Sequence, residues 1–116
     1  MMPIIPTIMS RVRADAFDVQ WARLRGKEGD WDIHTGEIRL HWNLENPIEI
    51  FLHEALHDLF PNARERWIWQ RTRGAERRLT TRERREIHEY LERARRRQQK
   101  LSRGLEVRAG RRQKVH

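Results

Sequence analysis

The densest chemistry in the chain lies in five residues, His53-Glu54-Ala55-Leu56-His57. An α-helix advances about 100° per residue, so histidines four apart lie one turn apart on the same side. That separation lets two imidazoles share one tetrahedral metal ion. Glu54 falls about 100° around the helix from His53 and about 60° from His57, beside the metal position rather than on it. Zinc lowers the pKa of bound water towards ~7, and a neighbouring carboxylate takes that proton and later passes it to a leaving amine. H-E-x-x-H on a helix therefore reads as a zinc site of the peptidase type, with His53 and His57 as ligands and Glu54 as general base. There is no cysteine, so any further ligand must be His, Asp or Glu.

The motif needs a helix, and the flanking residues provide one. Asn46 can cap, Pro47 suits the first helical position, and Glu49 can complete a capping box. Ile48, Phe51, Leu52, Ala55, Leu56 and Leu59 then recur at helical spacing, predicting an amphipathic helix that ends near Phe60-Pro61. This stripe turns both histidines away from the centre of the packed face. Upstream, Phe17–Trp21, Trp31–Ile33 and Glu37–Trp42 alternate apolar and polar residues, with His34-Thr35-Gly36 as a hairpin turn. Downstream, a second helix is expected over Ala63–Arg73, stopped by Gly74. A third starts at the Thr80-Thr81-Arg82-Glu83 capping box and carries Ile87, Leu91 and Ala94.

The expected fold is α+β, with a small antiparallel sheet packed on the motif helix, two further helices and a basic C-terminal extension. Residues 1–16 read as an N-terminal arm, because the opening contains two prolines and lacks the basic region of a signal peptide. Residues 17–92 form the domain and residues 93–116 the tail.

The segment Ile48–Asn62, preceded by Gly36-Glu37-Ile38-Arg39-Leu40, resembles the core of small bacterial and phage-encoded metallopeptidase-like proteins. These are similar to minimal gluzincins, the group with ImmA/IrrE-type and SprT-type domains. The resemblance covers about residues 17–92 and rests on the motif helix and the strand before it. It implies bound zinc, a peptide or protein substrate, and a strand lining the substrate cleft. Here that strand is Glu37–Trp42, with Arg39 and His41 at the substrate edge. It also implies a third ligand after the motif helix, where Pro61-Asn62-Ala63-Arg64-Glu65 places Glu65. Arg66 and Trp67 depart from the more acidic pattern expected there. Metzincin chemistry is excluded, since Phe60 and Ala63 stand where that pattern needs Gly and His.

Alternatives stay open. Asn62 and Glu65 also have capping-box spacing, which by itself would account for the glutamate. The third helix offers Glu86, His88 and Glu89 as ligands, and His88 or Tyr90 as an oxyanion donor. His34 reads as a turn residue and His41 as solvent-facing or cleft-lining. The tryptophans are first of all core material, although Trp67 and Trp69, two apart, cannot share one helix face.

The net charge of +8 is unevenly placed. Residues 93–116 hold ten Lys/Arg against the single carboxylate Glu106, and the other 92 residues sum to −1. Arg95, Arg96, Arg97, Lys100, Arg103, Arg111 and Arg112 therefore read as contacts to nonspecific nucleic acid or to an acidic protein surface. An inert, solvated tail is the plainer alternative. Without interleaved aromatics, base-specific recognition is not expected. No apolar run approaches the roughly 18 residues that span a bilayer, so no membrane partner is expected. The lack of cysteine fits a cytoplasmic place, in a bacterial cell or infected host, with the virion as an alternative. Two functions follow: a zinc-dependent metallopeptidase-like hydrolase, or a non-catalytic phage or bacterial structural or nucleic-acid-binding protein whose zinc site is structural or vestigial.

Overall fold

The computed structural model describes residues 3–114, with side chains described for residues 3–103. The fold is α+β, with four helices around a three-stranded sheet. In chain order the elements are α1 (Ile4–Arg13), β1 (Val19–Ala22), β2 (Gly29–Trp31), β3 (Ile38–His41), α2 (Pro47–Leu59), α3 (Glu65–Arg78) and α4 (Thr81–Lys114).

The expected arm is a helix. Ile8, Met9 and Val12 bury one face of α1 in the core. The prolines do not prevent this: Pro3 is the N-cap and Pro6 lies in the first turn, where helical N–H groups have no intrahelical partner to lose. The core thus begins before residue 17 and runs on to Ala94.

The sheet is mixed, not antiparallel throughout. Its order is β1-β3-β2, with β2 antiparallel and β1 parallel to β3. The hairpin forms as its turn residues dictate. Asp32 accepts the Gly36 N–H on its carbonyl at 2.8 Å and the His34 N–H on its carboxylate at 2.8 Å, and Gly36 takes a φ of +76°. The chain leaving β1 passes to the far edge before the hairpin returns it down the middle. Parallel pairing of β1 with β3 is the geometric result. Ile38 and Leu40 point inward and are fully buried, as their alternation predicts.

α2 starts where its cap predicts, with the Asn46 side chain accepting the Glu49 N–H at 3.3 Å. Phe51, Leu52, Ala55 and Leu56 are buried in the core, where α2 packs against the sheet, α3 and α4. α3 does not stop at Gly74. A helical glycine costs only about 1 kcal/mol, and continuing to Arg78 buries Ala75 and Leu79. The box at the start of α4 is reciprocal: Thr80 N–H donates to Glu83 at 2.8 Å, and Glu83 N–H donates to the Thr80 hydroxyl at 3.1 Å. Among the described residues, no helix is long and apolar enough to cross a membrane.

The two outer strands of the sheet differ. β1 is covered by α4, where the Gln98 side chain bonds both the N–H and the carbonyl of Trp21. Among the described residues β2 has no strand paired on its outer side, and it borders the motif helix.

Candidate metal centre

One turn of α2 presents His53 and His57, with ring centroids 4.9 Å apart. The first turn of α3 brings Glu65 across to both. Its carboxylate lies 2.6 Å from His53 Nε2 and 2.8 Å from His57 Nε2. Glu65 is the first residue of α3 and its N-cap is Arg64, which makes no side-chain cap bond. The glutamate thus faces the histidines rather than completing a box with Asn62. The connection Phe60–Arg64 reverses the chain, and Phe60 packs on Trp67 at 5.1 Å.

The histidines do not face open solvent. His53 is 6% exposed, with the Trp69 ring 4.0 Å away, and His57 stacks on Trp31 at 6.1 Å. α3 and β2 cover the side of α2 that the core stripe leaves free, which is why Trp69 and Trp31 reach the rings. Trp67 and Trp69 indeed point to different surroundings. Trp31 is itself anchored through its indole N–H to Asp58 at 3.0 Å, and Asp58 pairs with Arg11 of α1.

Burial holds the His53 imidazole below its ordinary pKa, against the opposing pull of Glu65. The neutral ring is the form that ligates metal. Glu54 is 5% exposed, and burial, reinforced by Glu65 and Asp30, raises its carboxyl to about 7. These residues line a cleft of about 650 Å³ together with Gly29, Asp30, Trp31 and His41. Nδ1 of His41 accepts the Leu24 N–H at 3.1 Å, which leaves its proton on Nε2. His41 is cleft-lining, one of the two places its strand position allowed.

The substrate-edge assignment of Arg39 and His41 needs correction. β3 is the central strand, paired on both sides, so neither residue lies on a free edge. The edge at the cleft is β2. Its approach to α2 depends on Gly29, where a Cβ would stand 2.6 Å from Ile50 Cγ2 and 3.1 Å from the Arg39 carbonyl. Arg39 is occupied with Asp30, donating from Nε at 2.7 Å and through a second guanidinium nitrogen.

The third-helix alternatives do not join the cluster. Tyr90 is buried and its hydroxyl donates to the Phe17 carbonyl at 2.8 Å, its pKa pushed up to about 12 mainly by burial. Glu86 is held by Arg13 at 2.8 Å, and His88 and Glu89 lie on the exposed face of α4. His34 is exposed in its turn.

The donor set suits zinc. One atom each from His53, His57 and Glu65 lies within 4.8 Å of the others, and two imidazoles plus a carboxylate is a familiar open zinc site. Glu65 is 60% exposed at its side chain and so has room to adjust. One feature departs from habit. Metal-bound histidines normally donate their second N–H to a polar partner, whereas buried His53 Nδ1 has none among the described residues. The Trp69 ring holds the imidazole instead.

Of the basic residues singled out by the charge pattern, Arg95 is not free for a ligand. Its guanidinium lies between the rings of Trp21 and Trp42, at 4.0 and 5.2 Å, and donates to the Trp42 carbonyl at 2.6 Å. Arg97 pairs with Asp15 at 3.2 Å. Arg96, Lys100 and Arg103 are exposed, and the side chains of Arg111 and Arg112 lie outside the described residues. Comparison of the chain with protein families, curated proteins and solved structures finds no match.

Proposed function

We propose that this protein is a zinc-dependent, metallopeptidase-like hydrolase. The observation that carries the reading is the convergence of Glu65 on the facing nitrogens of His53 and His57, with the Glu54 carboxyl buried beside them in the cleft. Zinc held by His53, His57 and Glu65 would supply Lewis acidity and an acidified water. Glu54, with a carboxyl near 7, exchanges a proton readily at neutral pH and serves as general base and then acid. An extended peptide fits the outer side of β2 by strand addition, which sets its backbone along the cleft rim. The Nε2 proton of His41 is available to a peptide carbonyl in the cleft.

The test is metal content and hydrolysis measured together. Protein purified without chelator should carry near-stoichiometric zinc, lost in His53→Ala. Glu54→Gln should keep the zinc and lose hydrolysis of an unfolded protein substrate. Absence of zinc from the purified protein defeats the proposal, and unchanged hydrolysis in Glu54→Gln assigns the metal a structural role.

A further inference from the structure

From Arg93 to Arg103 the chain holds six cations and no carboxylate. These residues lie on α4, and the helix divides them. At 100° per residue, Arg93, Arg96, Arg97, Lys100 and Arg103 fall within an arc of about 120°, while Arg95 lies on the opposite side. Arg95 is the one that stacks on Trp21 and Trp42. It fastens the back of α4 to the sheet and turns the other five outward.

Next to this face lies a groove of about 440 Å³ between α1 and α4, lined by Val12, Arg13, Asp15, Arg93, Arg96, Arg97 and Lys100. Its charges sort cleanly. Arg97 is paired with Asp15, and Arg13 with Glu86. Arg93, Arg96 and Lys100 have no ion-pair partner among the described residues within their exposed surroundings, and Arg103 is exposed beyond them.

We infer that Arg93, Arg96, Lys100 and Arg103 bind the phosphate backbone of duplex nucleic acid without regard to sequence. At 1.5 Å per residue the four span about 15 Å of rigid helix. A duplex carries one charge per roughly 1.7 Å of axis, so about nine phosphates lie within that reach, ample for four contacts. Two observations favour this partner. A membrane-surface helix needs an apolar face beside its basic one, but Ile87, Leu91 and Ala94 of α4 are buried in the core and between residues 93 and 103 Leu101 is the one large exposed hydrophobic. A single-strand site needs stacking aromatics, and residues 93–103 contain none. α4 covers the β1 side of the sheet, whereas the metal cleft opens at β2, so a duplex on α4 leaves the cleft accessible.

The experiment is fluorescence anisotropy of the full chain with a 20-base-pair duplex of arbitrary sequence, titrated across salt. Arg96→Gln/Lys100→Gln is compared with Arg77→Gln, an exposed arginine on α3. Removing two contacts should lower the magnitude of the log affinity–log salt slope by about 1.8 and weaken binding at 0.1 M salt by about 60-fold. Arg77→Gln should match the parent, and all three should share one circular dichroism spectrum and Tm. A second, unrelated duplex should bind equally well. The inference is overturned by no binding at low salt, by equal loss in Arg77→Gln, or by binding to vesicles containing anionic lipid with none to the duplex.

Discussion

The side-chain amide of Gln98 pairs with the main chain of Trp21 as a neighbouring strand would, accepting its N–H at 2.6 Å and donating to its carbonyl at 2.9 Å. One residue of α4 thus closes the β1 edge. An open strand edge is a template for pairing with other chains, and this contact occupies that template on the β1 side of the sheet. Gln98→Ala should cost about 1–2 kcal/mol by stranding a part-buried N–H. In thermal denaturation that is a fall of several degrees in Tm, and light scattering should show more self-association. Gln99→Ala, at the exposed neighbouring position, should change neither.

Gly29 lets β2 lie directly on α2. A methyl group there meets Ile50 Cγ2 at 2.6 Å, a branched core side chain with little freedom to move. Gly29→Ala should destabilise the protein by about 2 kcal/mol. Urea denaturation of a double-mutant cycle checks the cause. Against an Ile50→Ala background the same substitution should cost much less, and additive costs would refute the steric explanation.

Arg95 shows that a cation in a basic run can be structural. Its planar guanidinium stacks between two indoles and also donates to a carbonyl, a geometry an ammonium does not reproduce. Arg95→Lys keeps the charge but should lower stability by about 1 kcal/mol. The expected reading is a lower Tm with net charge unchanged in native electrophoresis.

Asp30 bears on acid stability. Its hydrogen bonds with Arg39, supported by Lys27, hold its carboxyl below the ordinary value of 3.8. A carboxylate with a depressed folded-state pKa adds stability that is complete above 3.8 and lost as pH falls through the lowered value. Arg39→Gln should therefore reduce Tm at pH 6 by a few degrees, in keeping with a partly exposed ion pair worth about 1 kcal/mol or less. The difference from the parent should shrink as pH falls towards 3. A gap that stays constant over that range would assign the loss to packing.

Zinc itself should stabilise the fold if His53, His57 and Glu65 hold it. Ligand at 100 times its Kd adds about 2.7 kcal/mol to a protein that binds only when folded. Differential scanning calorimetry of chelator-treated protein should show Tm rising with added zinc. Glu65→Ala should abolish most of that rise while leaving the Tm of the metal-free form within a few degrees of the parent.

Local signals in the sequence foretold local structure. The Ile48–Leu59 stripe, the Asn46 cap, the Thr80–Glu83 box and the Asp32–Gly36 turn are settled by residues a few positions apart. The placement of Glu65 beside the histidines also follows from a short connection between two helices. What could not be read locally depended on distant partners. α1 looked like an arm because its apolar face gains meaning only against α4 and the sheet. The parallel pairing of β1 with β3 depends on where a loop crosses, and no alternation pattern encodes that. Without the strand order, β3 passed for an edge, and the strand expected at Trp31–Ile33 lies instead at Gly29–Trp31, where Gly29 allows a close backbone approach. Gln98 and Arg95 carried no local sign that one would complete a sheet edge and the other fill an aromatic slot.

Each candidate zinc-binding histidine lies against its own indole, His57 on Trp31 and His53 on Trp69. Charge brought to an imidazole is felt by the ring stacked on it. The protein therefore carries two optical sensors at its centre, one on the strand side and one on the helix side. Because the chain holds five tryptophans, the difference in intrinsic fluorescence between the parent and Trp31→Phe, or between the parent and Trp69→Phe, isolates each reporter, so events at the two histidines can be followed separately without attaching a label.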